Sequence, residues 1–121
     1  MHAAELKNVR GTRGEAMRAE TSVSPDSPWF SGHFPNDPLL PGIAQLAMVK
    51  DLIRLFYPEE LILAGVRRIR FKQVIRPDDC ITIEANPDPK KRTEFQFVLR
   101  AEEVVACSGK LVFVESRKNS S

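Results

Sequence analysis

The distribution of apolar residues divides the chain into one helical stretch and several strand-like stretches. Residues 42–57 are apolar at almost every position and are followed by Pro58, which predicts a helix buried on most of its surface that ends before that proline. Elsewhere, apolar and polar residues alternate with the two-residue period of a strand. This alternation predicts strands near residues 15–23, 61–76, 80–85, 93–101 and 104–115.

Turn-forming residues separate the later strands, which favours antiparallel connections. Pro77 and Pro87 each stand at the start of such a turn. Five or six antiparallel strands can bury one apolar helix only by wrapping around it, so the predicted fold class is α+β with the helix at the centre. We place a single domain at residues 14–115, a loose or edge-seeking terminus at 1–13 and a polar tail at 116–121. The open edges of such a sheet favour dimerisation.

Composition and charge exclude several classes of function. The chain has 18 basic and 16 acidic residues among 121. This nearly neutral balance of charge differs from the strongly basic character of a dedicated nucleic-acid binder. No apolar run approaches the roughly 20 residues of a membrane span, and the first residues do not resemble a signal peptide. Cys80 and Cys107 have no metal-binding spacing and lie in strand-like runs. We therefore expect reduced thiols, no metal site and a cytoplasmic protein.

A proline-rich loop carries the candidate chemistry. Five of the nine prolines fall between Pro25 and Pro41, and each fixes φ near about −65°. The loop therefore holds His33 stiffly beside the start of the predicted helix. An unperturbed imidazole has a pKa near about 6.5, so a neutral base is available there near neutral pH. The Gly42 N–H lies in the first helical turn, where amide groups are free and the helix dipole is positive, so it is a candidate donor to a carbonyl.

The loop has the residues of a known signature. It reads Gly32-His33-Phe34-Pro35, then Pro38, then Pro41-Gly42. This pattern resembles the GHFPxxPxxPG loop of the hot-dog-fold 3-hydroxyacyl-ACP dehydratases of the FabZ and FabA type. Residues 71–79 also resemble that family's FxxPVxPGD segment, with Gln73 and Asp78 in place of the usual Pro and Gly. The combination of Pro41-Gly42 with Gln45-Leu46 resembles the ApeI-like branch.

The resemblance implies a fold, a reaction and partners. It implies a hot-dog fold, dehydration of a 3-hydroxyacyl thioester to the trans-2-enoyl thioester, His33 as the base and the Gly42 N–H as the electrophilic donor. It also implies a substrate carried on the phosphopantetheine of an acyl carrier protein (ACP) or on CoA, with no further cofactor. Family members form two-fold dimers in which the histidine and a carboxylate come from different subunits. We therefore expect a homodimer or larger assembly, or a heterodimer with an active paralogue.

The second catalytic position departs from the family pattern. The family carries Glu or Asp fourteen residues after the histidine, and this chain has Ala47 there. Asp51 lies one helical turn further along the same arc and is the candidate acid within the chain, although a surface salt bridge with Lys50 or Arg54 is the alternative. Loss of a positioned acid or base typically costs about 10² to 10⁴ in rate. Slow catalysis, relocated catalysis and no catalysis all remain open.

Further residues are candidates for binding substrate or carrier. The candidate substrate-binding residues are Phe30, Phe34, Pro41, Gln45 and Ala47. Gln45 is either a substrate contact or a buried structural amide, because it faces away from the helix's other polar residues. The strand period predicts Arg68, Arg70 and Lys72 on one face, with Arg67 opposite, as a surface for the acidic carrier or its phosphate. A solvated sheet face is the alternative.

Two classes of function follow. The first is an enzyme, either a dehydratase or an isomerase or thioesterase that uses the same pocket. The second is a non-catalytic hot-dog subunit that binds acyl-ACP or pairs with an active paralogue.

Overall fold

Six strands and one long helix form the regular structure in a computed structural model that describes residues 5–30, 39–58 and 61–116. The helix, α1, is Gly42–Phe56, and a short 3₁₀ helix is Pro28–Phe30. The strands are β1 Lys7–Gly11, β2 Met17–Thr21, β3 Leu61–Phe71, β4 Ile81–Pro87, β5 Glu94–Ala101 and β6 Val104–Glu115. The predicted early strand, helix and four later strands are present in that order, and β1 is an additional strand before them.

The strands form one antiparallel sheet in the order β1-β2-β4-β5-β6-β3. Strands β1 and β3 lie at its two edges, and each is hydrogen-bonded on one side within the described residues. The sequence favours a loose or edge-seeking terminus for residues 1–13, and β1 is an edge strand with all five residues exposed. The predicted α+β class with five or six strands is confirmed, with six.

The helix lies against the inner face of the sheet and packs on β2, β3 and β4. Its buried apolar residues are Ala44, Met48, Val49, Leu52 and Ile53, which recur at the three- and four-residue spacing of one helix face. The strands contribute every second residue, as in Ile81, Ile83 and Ala85 of β4 and Phe95, Phe97 and Leu99 of β5. Ile43 and Leu55 stay 71% and 57% exposed, so α1 is buried on one face rather than on most of its surface.

The C-terminal end of α1 is fixed by Tyr57. Its backbone N–H donates to the Ile53 carbonyl at 3.1 Å, and its ring meets Phe95 edge-on with centroids 5.4 Å apart. The Gly14 N–H donates to the Tyr57 hydroxyl at 2.9 Å, and the Arg13 guanidinium lies 4.5 Å from the centre of the ring. These contacts restrict movement of α1 along its own axis. They therefore also fix the position of its N-terminus at the other end of the sheet.

Strand β3 contains a bulge that changes the faces of its basic residues. Arg67 pairs with Lys110 and Arg70 with Ser108, so two β3 residues lie opposite one β6 residue, and Arg68 has a positive φ of 54°. The period-two prediction is therefore wrong here. Arg67 lies on the same face as Arg70, because their partners are two residues apart on β6, and Arg68 belongs to the bulge.

Within the described residues no helix is long and apolar enough to cross a membrane. Both cysteines are free thiols, with Cys80 exposed and Cys107 buried. Burial raises the pKa of the Cys107 thiol to about 11.

Candidate active site

The N-terminus of α1 is open at its first residue. Pro41, the residue before the helix, provides no side-chain cap, and its carbonyl accepts hydrogen bonds from the amides of Ala44 and Gln45 at 3.1 and 3.2 Å. Among the described residues none accepts a hydrogen bond from the Gly42 amide. A helix begins with amides that lack intrahelical partners and with the positive end of the helix dipole. The Gly42 N–H is therefore available to an acceptor from outside the helix.

The segment that follows β3 is held beside this helix end. The Lys72 and Gln73 amides donate to the Ala106 carbonyl at 2.8 and 3.3 Å, which extends the contact of β3 with β6 beyond the strand. Ile75 is fully buried, and its carbonyl accepts a hydrogen bond from the Leu40 amide at 2.8 Å. This bond joins the residues just before the helix to the residues just after β3. Two segments distant in sequence thus form opposite walls of one site.

Phe71 closes one side of the helix end. A Cβ placed on Gly42 would lie 2.6 Å from Cζ of the Phe71 ring and 3.0 Å from its Cε1. Contacts this short do not occur for real side chains, so any side chain at position 42 would displace the Phe71 ring. The Phe71 side chain is 54% exposed, which leaves it room to turn. An aromatic ring that can move therefore lies against the available amide.

Gln45 is buried one turn into the helix on the same face. Its residue exposure is 4%, and its Nε2 donates to the Leu40 carbonyl at 3.1 Å. Its Oε1 is buried as well and has no hydrogen-bond partner among the described residues. Since Leu40 is an acceptor, it fixes which end of the amide faces it and leaves the oxygen on the other side. Gln45 is therefore both a structural amide and an unsatisfied acceptor.

These elements surround a cavity of about 330 Å³. A volume in the range of about 300–1,000 Å³ is typical of small-molecule sites. Its walls are mainly apolar, and the polar groups in them are few. The lining residues are Leu39, Leu40, Gly42, Gln45, Phe71, Lys72, Gln73 and Val74.

The structure brings some of the predicted site residues together and separates others. Gly42, Gln45 and Lys72 line the cavity, and Pro41 precedes Gly42. Phe30 is 7% exposed and belongs to the hydrophobic core. Ala47 and Asp51 are half-buried and are not part of the cavity wall described above. His33 and Phe34 lie outside the described residues.

The basic residues of β3 are divided by the bulge. Arg67 lies 4.0 Å from the buried Glu94 carboxylate, and Arg68 and Arg70 are exposed. Lys72 is exposed and also lines the cavity. Of the predicted carrier-binding residues, Lys72 alone reaches the candidate site within the described part of the chain. The other two lie earlier on the same edge strand.

Phe71 is the site residue that the sequence analysis did not identify. The period-two pattern places it on the face opposite Arg70, and it begins the segment that carries the family resemblance. The position of Phe71 at the start of that segment was therefore a signal from which its place in the site could have been found. Its contact with Gly42 depends on the registration of β3 on β6, where Phe71 pairs with Cys107, and registration is not encoded in local pattern.

A second cavity of about 600 Å³ lies at the opposite end of α1. Arg13 and Tyr57 line it, and both are engaged in the contacts that hold the helix C-terminus. Asp88 also lines it and contacts Lys110 at 3.2 Å. The Lys90 backbone amide first, and Lys110 second, hold the pKa of Asp88 below its usual value. These groups serve the fold, so we assign the candidate site to the Gly42 end.

The described residues hold no group of three or more His, Cys, Asp or Glu side chains arranged for a metal ion. The chemistry available from them is that of an amide donor and an apolar wall. A backbone N–H at a helix start polarises a carbonyl and stabilises the oxyanion that forms when a neighbouring proton is removed. The site is therefore suited to an acyl group that loses a proton from its α-carbon.

Comparisons with known proteins agree with this geometry. Residues 9–110 match the family model described as ApeI-like, ApeI dehydratase. The chain is 33% identical over 103 residues to the 3-hydroxyacyl-[acyl-carrier-protein] dehydratase FabZ of Chloroflexus aggregans, covering 78% of this chain and 72% of that protein. The family model and the sequence relative therefore both indicate dehydratases.

Solved structures share the fold. The dehydratase heterocomplex ApeI:P from Xenorhabdus doucetiae superposes with a TM-score of 0.81 at 22% identity, covering 92% of this chain and 97% of that one. A hypothetical thioesterase with coenzyme A from Streptococcus pneumoniae gives 0.69 at 12% identity, covering 90% and 84%. At these identities the likeness shows the fold, and the predicted hot-dog fold is confirmed.

Proposed function

The chain belongs to the ApeI-like family of dehydratases, and we propose that it acts on 3-hydroxyacyl thioesters, which it converts to trans-2-enoyl thioesters. The observation that carries this proposal is the available Gly42 amide at the mouth of an apolar cavity of about 330 Å³. The amide suits the thioester carbonyl, and the apolar walls suit the acyl chain.

The reaction needs a base, an oxyanion donor and a proton for the leaving group. His33 takes the proton from C2, and the Gly42 N–H stabilises the enolate oxygen. The C2–C3 double bond then forms as the C3–O bond breaks, and the hydroxyl leaves as water after gaining a proton. Ala47 supplies no such proton. Asp51, about 6 Å further along the helix axis, is the candidate source within this chain and acts through a water.

Hydration of a trans-2-enoyl thioester, the reverse reaction, tests the proposal. We expect the purified protein to hydrate the enoyl group, and His33→Ala to lower the rate by about 10² or more. Equal rates in the two proteins, with unfolding curves that match, contradict His33 as the base. No activity in the wild-type protein contradicts turnover by this chain alone.

A second candidate function is favoured by Ala47. The helix position where the family carries its acid is a half-buried alanine, and a solved neighbour is a dehydratase heterocomplex. This combination supports a non-catalytic subunit that binds acyl-ACP or pairs with an active paralogue that supplies the acid. In that case the isolated chain is inert, and hydration activity is gained when the paralogue is added.

The partner surface that we propose is the edge formed by β3. This strand pairs with β6 on one side, and it carries exposed apolar side chains at Ile62 and Val66. A second copy, or the paralogue, extends the sheet there and approaches the candidate site at Phe71. Arg70 and Lys72, exposed near the same end, are the proposed contacts of the acidic carrier or its phosphate.

We propose that the substrate arrives on phosphopantetheine of ACP or on CoA, that the chain needs no cofactor of its own, and that it works in the cytoplasm, which its free thiols at Cys80 and Cys107 suit. Thioesterase activity is not favoured by a specific feature, because the thioesterase neighbour named above shares 12% identity and therefore only the fold.

A further inference from the structure

The unsatisfied oxygen of Gln45 is a buried polar group of the site that the proposed reaction does not use. The side chain is 4% exposed, and its Oε1 has no hydrogen-bond partner among the described residues. Buried polar groups in folded proteins are almost always paired, and an exception calls for an explanation such as a functional role. The Nε2–Leu40 bond of 3.1 Å prevents the amide from turning to relieve the oxygen, because that would set two acceptors against each other.

We propose that the Gln45 side-chain oxygen accepts a hydrogen bond from the 3-hydroxyl group of the substrate and so selects 3-hydroxyacyl thioesters over unsubstituted ones. This inference rests on the proposed function. It assigns Gln45 a role in recognition and gives it no part in proton transfer, since a neutral amide is neither a useful acid nor a useful base at the pH of the cell.

The chemistry of the ligand matches the chemistry of the wall. A thioester carbonyl has only acceptor atoms, so it suits the Gly42 N–H and not the Gln45 oxygen. The 3-hydroxyl is the donor nearest to that carbonyl in the acyl chain. Gly42 and Gln45 lie three residues apart on one helix face and both line the cavity. The carbonyl and 3-hydroxyl oxygens of the substrate are four bonds and at most about 5 Å apart, and each hydrogen bond to the wall adds about 3 Å of reach. One ligand can therefore engage both groups.

Access to the oxygen depends on the wall beside it. Gln45 lines the cavity, while its Oε1 is closed off from solvent. The Phe71 ring belongs to the same cavity wall, where it lies against Gly42 and is 54% exposed. Rotation of an exposed aromatic side chain is fast compared with turnover. This ring is therefore the part of the cavity wall whose rotation we expect to admit the hydroxyl end of the substrate.

Calorimetric titration with two ligands that differ only at C3 tests this inference. The probes are the amide analogues of 3-hydroxyoctanoyl-pantetheine and octanoyl-pantetheine, whose α-protons are too weakly acidic to be removed during the titration. We expect wild-type protein to prefer the hydroxylated probe by about tenfold, the value of one hydrogen bond to a buried partner. We expect Gln45→Met, which keeps the length of the side chain and removes the acceptor, to bind the two probes equally.

The ratio of the two affinities is independent of how much of a variant is folded, because both probes see the same folded fraction. Gln96→Met is the matched control, since Gln96 is an exposed glutamine on β5 away from the cavity, and it should keep the wild-type ratio. A wild-type ratio near one, or an unchanged ratio in Gln45→Met, overturns the inference. If that result comes with normal hydration activity, the proposed function stands. Binding of neither probe and no hydration activity overturn both.

Discussion

Substitution of Gly42 by alanine separates the role of this residue in stability from its role in binding. The added Cβ meets the far end of the Phe71 ring at 2.6 Å, so the ring has to retreat by about 0.8 Å to reach an ordinary contact of 3.4 Å. The ring is half-exposed and can do so by a small rotation, at a cost of about 0.5–1.5 kcal/mol. Alanine also recovers about 0.5–1 kcal/mol relative to glycine in a helix. The two effects nearly cancel.

We therefore expect the free energy of unfolding of Gly42→Ala, measured by urea denaturation, to stay within about 1 kcal/mol of wild type. Gly109→Ala is the contrasting variant. Its added Cβ lies 2.5 Å from Cδ1 of Ile69, and also 3.1 Å from the Ile69 Cα and 3.2 Å from the Arg67 carbonyl oxygen, which cannot rotate away. Overpacking of this kind costs about 1–3 kcal/mol.

The functional effect of Gly42→Ala should be much larger than its effect on stability. The methyl group and the displaced ring occupy the space through which a thioester carbonyl reaches the amide. We expect the rate of enoyl-thioester hydration to fall by about 10², comparable to the loss of one oxyanion donor. A double-mutant cycle with Phe71→Ala should remove the stability cost of the methyl group and leave the loss of activity. Full activity in Gly42→Ala would refute the role assigned to this amide.

Two further predictions concern titratable groups. The Lys90 amide and, second, Lys110 hold the folded-state pKa of Asp88 below its usual value of 3.8. The ionised carboxylate therefore stabilises the folded state at pH values above 3.8, and this stabilisation is lost as the pH falls through the folded-state pKa. The assay is urea denaturation at a series of acidic pH values. Below about pH 4, Asp88→Asn should lose less stability than wild type, whereas Lys110→Met should keep most of the wild-type loss. Identical curves of unfolding free energy against pH for wild type and Asp88→Asn would contradict this. Titration with a thiol reagent near about pH 8 should modify Cys80 alone in the folded protein and Cys107 only after denaturation. The reason is that Cys80 is exposed, whereas burial raises the pKa of the Cys107 thiol to about 11. Rapid reaction of both thiols in the folded protein would count against this.

The helix and most strands could be predicted because their patterns are local. The apolar run from Gly42 and the proline at position 58 bracket α1, which ends at Phe56. The bulge at Arg68 could not be predicted, because it arises from the pairing of β3 with β6 and leaves no mark in the alternation of residues. One extra residue in a strand reverses the faces of everything beyond it. This is why the predicted face of the basic residues was wrong.

The candidate site divides in the same way. Gly42 and Gln45 could be identified because they lie within a single recognisable segment and a helix places them on one face. The contact of Phe71 with Gly42 joins residues 29 positions apart, and the bond between Leu40 and Ile75 joins residues 35 positions apart, so only the folded chain shows them. The roles of His33 and Phe34, which lie outside the described residues, stay predictions from the loop sequence.

We propose that this is a dehydratase site in which Ala47 stands at the position where the family carries its acid. The most direct measurement is the rate of enoyl-thioester hydration by Ala47→Glu relative to wild type, with unfolding curves to show that both proteins are folded. A restored acid should raise the rate by about 10² or more, and a second substitution, His33→Ala, should abolish the gain. An unchanged rate in folded Ala47→Glu would contradict the claim that the alanine at position 47 limits the reaction.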